Sequence, residues 1–454
     1  MPLAGFTARA AGGRLVAGLS QRAGNDGAVD RFHERTADRY AELLGHSKGA
    51  LMKAGQMMSL VDYRTFGTGG FAPYHQAMTR LQADAPPMHP DLVREVLRSE
   101  LGPTELFTAF DEDPLAAASI GQVHRATLVD GRQVVVKIQY PGVAQAIRDD
   151  LANTEMLATF LRFAAAASGL KNDVRSIARE AAARIAEEID YHHEAAMITA
   201  FSDLYRDHPF IRIPTVVPEL SSGRVLTMTY LDGMEWSAAQ QANQELRNTW
   251  AETIQRFAYG SFRHSNLMHA DPHPGNYRFH ADGTVGFVDF GCVKVIPEYQ
   301  RWRMVALNRA LTEGRKDDMR DIMVQAGFFS ADSDLSPDEL YRWQSEVLYE
   351  HALAPQPVTY TAESIDRVVR GLFDARQPDH PVARMNAPDD QVMVGRLQLA
   401  VTSVCVGLGA TLPVRAIVDD FDGTIEPVTE LGKQHHAWVR DRGLPNGLDH
   451  HDHP

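Results

Sequence analysis

Cysteine is nearly absent: Cys292 and Cys405 are the two in a chain of 454 residues. Two cysteines cannot build a disulfide framework, so the fold must rest on a hydrophobic core, and a reducing cytosol is the expected setting. Long apolar runs are missing as well. Leu157 to Leu170 is interrupted by Arg162, and Val401 to Leu412 is rich in Gly, Ser and Thr. Both fall short of the roughly 20 apolar residues a membrane-crossing helix needs. Met1 to Arg22 scatters arginines through Gly and Ala, so no secretory signal is expected either. Positive charge is in deficit, 45 Lys and Arg against 59 Asp and Glu. The resulting net charge of −14 argues against nucleic acid as a partner, since that needs a basic surface. No internal repeats are evident.

What the chain does contain is concentrated between His264 and Val293. Asp271 and Asn276 stand five apart in D-P-H-P-G-N, and Asp289 opens D-F-G eighteen residues after Asp271. Between them, Tyr277-Arg278-Phe279 and Val285 to Val288 read as two short strands joined at Ala281-Asp282-Gly283. Such a hairpin brings two carboxylates and an amide oxygen to one end of a sheet. Hard oxygen ligands suit Mg²⁺, and the spare carboxylate can orient a nucleophile, as in the catalytic apparatus of kinases.

The rest of the chain is consistent with that arrangement. Residues 1–30 are Gly- and Ala-rich and expected to be flexible, and 31–105 form a helical extension. Its helix from His46 to about Val61 carries Lys53 and Gln56 on one face, with Gly55 between them. Further helices are expected over Phe71 to Ala85 and Asp91 to Leu101. A small lobe over 106–232 opens with Phe107 to Phe110, then Ala116-Ala117-Ala118-Ser119, then the β-branched strand Gln133 to Gln139. The alanine segment stands where a G-x-G-x-x-G phosphate loop would be, and it forgoes the φ > 0 conformations that glycine allows. Lys137 lies inside the apolar strand, which is costly unless the charge is paired. A helix from Val174 to Phe201 would place Asp190 and Glu194 on one face, with Glu188 pointing elsewhere. After strands near Ile211 to Val217 and Val225 to Tyr230, Leu231-Asp232-Gly233 reads as a hinge. A mainly helical large lobe over 233–431 follows, and 432–454 reads as a disordered tail.

Five motifs in order make the chain resemble the UbiB family of atypical protein-kinase-like proteins, which includes the coenzyme-Q-linked and AarF-like kinases. They are K-A-G-Q at Lys53 to Gln56, A-A-A-S at Ala116 to Ser119, V-V-K-I-Q-Y-P-G-V ending at Val143, E-I-D-Y-H-H-E-A at Glu188 to Ala195, and D-P-H-P-G-N with D-F-G. The resemblance implies a bilobal α+β kinase-like fold, with an antiparallel sheet in the small lobe. It makes Lys137 and Glu194 an ion pair, Asn276 and Asp289 metal ligands, Asp271 the catalytic aspartate and the alanine segment part of the nucleotide site. It sets Lys53 and Gln56 over the active site near Glu188 and Asp190, where they disfavour protein substrates. One departure is His269-Ala270-Asp271, which lacks the arginine of H-R-D. The expected function is that of a Mg²⁺-dependent enzyme binding ATP or ADP. It would act as an ATPase or small-molecule kinase in isoprenoid-quinone or lipid metabolism, cytoplasmic or at most peripheral to a membrane. A non-catalytic nucleotide-binding scaffold is the alternative.

Overall fold

The computed structural model describes residues 87–102, 107–118, 120–152, 189–373, 380–386 and 389–445. The helices expected around Lys53 and over Phe71 to Ala85 lie outside them. In chain order the elements are α1 (Pro90–Leu101), β1 (Phe107–Phe110), β2 (Ala116–Ala118), β3 (Gly121–Leu128), β4 (Gln133–Gln139), α2 (Val143–Ala152), α3 (Tyr191–Leu204), β5 (Ile211–Arg212) and β6 (Val225–Thr229). They continue with α4 (Trp236–Ala239), α5 (Gln244–Ser265), β7 (Leu267–His269), β8 (Tyr277–Phe279), β9 (Val285–Phe287), β10 (Val293–Val295), α6 (Glu298–Thr312) and α7 (Lys316–Gln325). Last come α8 (Pro337–Val347), α9 (Tyr349–Ala352), β11 (Val358–Thr359), α10 (Ala362–Phe373), α11 (Asp389–Leu408), β12 (Thr411–Leu412), α12 (Val414–Phe421) and α13 (Glu430–Arg442). The chain divides into two compact units. The first holds the described residues through His193 together with Val217–Met228, and the second holds Glu194–Val216 and everything from Thr229 onward. Residues 194–216, expected in the small lobe, thus join the second unit.

The first unit is built on a sheet of order β1-β3-β4-β6, with β2 paired to β3. Every residue of β4 after Gln133 is buried, as its run of β-branched residues predicts for a strand covered on both faces. Helix α1 begins with Pro90 in its first turn and ends at Gly102, whose φ of 79° stops the helix. Its Val93, Val96 and Leu97 bury against Val134, Val136 and Ile138 of β4. Gly121 is required by close approach: a Cβ there would lie 2.0 Å from the Ile138 carbonyl oxygen. The alanine segment is not a loop. Ala116 to Ala118 form a strand antiparallel to Gly121–Val123.

The second unit is organised around α5, started by the Asn243 side chain accepting from Leu246 N at 2.9 Å and ended by Asn266 in the left-handed region. From Trp250 to His264 nearly every residue is buried, including polar ones, so the helix is covered on all sides. Its Arg256 has no exposed surface and is met by Glu252 at 2.8 Å and by both Asp420 oxygens at 3.0 and 2.7 Å. Fork-on-carboxylate pairing of this kind lets a guanidinium be buried. The expected helices beyond Pro297 are present, with a break at Leu348 dividing α8 from α9. The tail expectation is overturned for residues 432–442: α13 is helical, with Gly432, His435, Trp438 and Val439 buried. A charged, His-rich stretch reads as solvated until its partners are seen.

Those partners are histidines. Ile211 N–H donates to His208 Nδ1 at 3.1 Å, which leaves the His208 proton on Nε2 to be donated to His435 Nδ1 at 3.0 Å. His435 Nε2–H then donates to His264 Nε2 at 3.0 Å, and His264 Nδ1–H to the Pro445 carbonyl at 2.7 Å. The chain of donors runs one way and needs all three rings neutral. Burial pushes His264 down to about 4 and depresses His208 and His435 as well. Above about pH 6.5 the rings are neutral folded or unfolded. Below it the unfolded chain takes up protons that the folded chain refuses, so stability falls as pH falls. For His264 alone the window runs from 6.5 to about 4, which is worth about 3 kcal/mol. Urea titrations from pH 8 to pH 4 are expected to show that loss, and His264→Gln to show a flatter profile. Arg256→Leu, which takes the guanidinium away from buried Glu252 and Asp420, is expected to lower the unfolding free energy by about 3–5 kcal/mol at pH 7.

Candidate active site

Three backbone pairings bring the motif residues together in the second unit. Strand β7 runs antiparallel to β10 with His269 opposite Val293, and Ala270 N donates to Cys292 O at 2.9 Å. Asp271 therefore leaves the end of β7 beside the residues that follow Asp289-Phe290-Gly291. Strands β8 and β9 form the expected hairpin, Tyr277 opposite Phe287, with Gly283 in the turn at φ 88°. Val288 N donates to Asn276 O at 3.0 Å, which extends the ladder to the residue before Asp289.

The loop between Asp271 and Asn276 doubles back through a short turn over Pro274–Asn276, where His273 Nδ1 accepts from Gly275 N at 3.1 Å. As a result Asn276 Nδ2 donates to the Asp271 carbonyl at 3.2 Å and, at 3.4 Å, to its Oδ2. With the amide nitrogen turned inward, Asn276 Oδ1 is the end that can meet a cation. The Asp289 carboxylate is oriented by Gly291 N–H, 3.1 Å from Oδ1. An amide oxygen and a positioned carboxylate are hard donors, so the residues present fit Mg²⁺.

Below this surface the D-F-G turn is anchored in the core. His269 Nε2 donates to the Asp289 carbonyl at 2.6 Å, and its Nδ1 is buried without a hydrogen-bond partner. Burial lowers the His269 pKa, favouring the neutral ring that this single bond requires. Phe290 is fully buried, its ring 5.0 Å from Phe201 and 5.3 Å from His269. Its backbone N–H reaches Glu194 Oε1 at 3.5 Å, a long contact. Glu194 lies in the first turn of α3 and is 4% exposed.

In the first unit Lys137 is 6% exposed and stands opposite Val123, with its ammonium 5.7 Å from the centre of the Tyr191 ring. Ala116 and Ala117 are exposed and Ala118 is half-buried. Asp190 departs from expectation. It precedes α3 rather than lying within a longer helix, and its Oδ1 accepts from His192 N at 2.9 Å. An aspartate favours that capping position, so Asp190 and Glu194 do not share a helical face. Lys53, Gln56, Ser119 and Glu188 lie outside the described residues.

One residue was not anticipated. Arg396 of α11 places Nη2 3.1 Å from Asp271 Oδ1, across 125 positions of sequence. No motif marks it. The available signal is that Arg396 is the lone basic residue in the largely apolar stretch from Asp389 to Leu408.

Comparison with known proteins places the chain in a family. The ABC1 atypical kinase-like domain matches residues 80–323. The atypical kinase COQ8B, mitochondrial, of Rattus norvegicus is 31% identical over 298 residues, covering 64% of this chain and 54% of that protein. The atypical kinase COQ8, mitochondrial, of Saccharomyces cerevisiae is 33% identical over 264 residues, 58% of this chain and 51% of that one. The chain thus spans about half the length of these relatives. A solved structure, Rv3197 of Mycobacterium tuberculosis with erythromycin, superposes with a TM-score of 0.60 at 29% identity, covering 90% of this chain and 99% of that one. These relatives are named as mitochondrial, which the cytoplasmic expectation does not share. No helix among the described residues is long and apolar enough to cross a membrane. With its kinase-like fold and a family match over more than half its length, the chain belongs to the ABC1 atypical kinase-like group, the UbiB family.

Proposed function

We propose that this protein is a Mg²⁺-dependent, ATP-binding atypical kinase or ATPase. The observation that carries the reading is the convergence of Asp271, Asn276 and Asp289 at the ends of β7 and the β8–β9 hairpin. Asn276 and Asp289 would hold Mg²⁺, which when bound neutralises phosphate charge. Lys137 is assigned to the phosphates, its burial on β4 being hard to explain for an idle cation. Asp271 is assigned to orient the attacking water or hydroxyl, its side chain being held from one side by Asn276. Glu194 is assigned to the pairing of Lys137, and Ala116 to Ala118 with Ser119 to the nucleotide. Likeness to the coenzyme-Q-linked kinases points to a role in isoprenoid-quinone or lipid metabolism, with contact at a membrane surface. Lys53 and Gln56, with Glu188 and Asp190, are assigned to restricting access of protein substrates.

The test is Mg-ATP turnover by the full chain with and without anionic liposomes or a phenolic quinone precursor. Wild-type protein is expected to hydrolyse ATP or phosphorylate the phenol, and Asp271→Asn and Asp289→Asn to lose at least about 100-fold, the usual loss when a transition-state contact is removed. Wild-type turnover no faster than Asp289→Asn under every condition overturns the enzyme reading. Tight Mg-nucleotide binding in that case favours the scaffold. Nucleotide binding is further expected to raise the melting temperature only with Mg²⁺ present, and Asn276→Ala to abolish that dependence.

A further inference from the structure

Arg396 is held in place by its helix. Leu397 and Leu399 are buried beside it, and Gln398 accepts from Tyr259 of α5 at 2.7 Å. From that support its guanidinium reaches Asp271 with one donor, Nη2, and with one oxygen, Oδ1, at 3.1 Å. The pair is about a quarter exposed, 22% and 28%. A guanidinium has five N–H donors in a planar fork, and a carboxylate can take two of them. Among the described residues Arg396 has this one partner, so most of the fork remains for a second anion. The loop that carries Asp271 supplies no cation of its own: D-P-H-P-G-N contains neither lysine nor arginine, and Ala270 precedes it.

On the reading of this site as a nucleotide site, we propose that Arg396 is the sensor of the terminal phosphate, distinguishing a nucleoside triphosphate from a diphosphate. The catalytic aspartate of a phosphoryl-transfer site faces the γ-phosphoryl group. A cation 3.1 Å from that carboxylate is placed to transfer its fork to γ-phosphate oxygens. Without that phosphate, the ion pair occupies Asp271 Oδ1, and Asn276 engages Oδ2. When the triphosphate arrives, Arg396 moves onto it and Oδ1 becomes available to accept from the nucleophile. In hydrolysis a water oxygen bonds to Pγ as the bond from Pγ to the β–γ bridging oxygen breaks. ADP leaves with the bonding pair, and the water proton passes through Asp271 to solvent. Arg396 would thus couple the presence of substrate to the release of the group that activates the nucleophile.

The experiment measures Mg²⁺-dependent binding of ADP and of a non-hydrolysable ATP analogue to the full chain, by calorimetry. Arg396→Ala is expected to weaken the analogue about tenfold, as for loss of a charge-assisted hydrogen bond, and to leave ADP within about twofold. Arg396→Lys is expected to recover part of the analogue's affinity, since charge is kept and the fork is lost. ADP binding by the variant doubles as its folding control. If Arg396→Ala binds neither nucleotide, the decision falls to Arg396→Lys, where selective weakening of the analogue supports the proposal and an unchanged preference overturns it. Equal weakening of both nucleotides, or of neither, also overturns it while leaving the nucleotide-site reading intact. Wild-type protein that binds no nucleotide in Mg²⁺ overturns both.

Discussion

The candidate site is tied together by one hydrogen bond, from His269 Nε2 to the carbonyl of Asp289 at 2.6 Å. It joins the residue two before Asp271 to the residue that begins D-F-G, so the two backbone segments are coupled. Burial of the ring, 2% exposed, favours the neutral form that donates this bond. The bond is directional because the other ring nitrogen has no partner and stays unprotonated. Phe290 packs beneath it, among Phe201, Phe257 and His269. An aromatic floor therefore fixes the geometry of a polar surface.

That floor rests on α5, and α5 resists disturbance for a less usual reason. Its buried face is held by charges as well as by packing. Arg256 meets Asp420, Arg263 meets Asp422 at 2.9 Å, and Arg301 donates to the Arg263 carbonyl at 2.6 Å. Such pairs add little net stability over apolar packing but impose a single arrangement, because any other leaves a charge stranded in the core. The three-histidine chain fixes α13 through neutral donors and acceptors that must all be paired. All of these contacts reach α5 from elements after residue 290, so the C-terminal third of the chain fixes the helix that leads into β7.

What the sequence disclosed depended on how local the determining interactions are. The hairpin from Tyr277 to Phe287 was legible because Gly283 and the alternation of its strands act within eleven residues. Asp190 was misread because a cap and an interior helical position look alike when the residues before it are also helix-formers. The alanine segment was misread as a loop because its β-pairing is set by β3, not by its own propensity. Residues 432–442 were misread because partners that bury His435 and Trp438 are remote in sequence: His264 is 171 positions from His435, and His208 and Tyr205 are more than 220 positions away.

Arg396 belongs to that last class, and its remoteness has a physical meaning. A cation carried on the Asp271 loop would move with the aspartate and could not report on what else is bound. A cation on α11 is anchored through Leu397, Leu399 and Gln398 to a different part of the unit. On the proposed reading, Asp271 and an incoming phosphate compete for it from a fixed point. The side chain is long enough to choose between two anions, while its helix need not move. Placing the charge on another element makes the contact an exchangeable one. That is what a site needs if its aspartate is to be restrained without substrate and released with it.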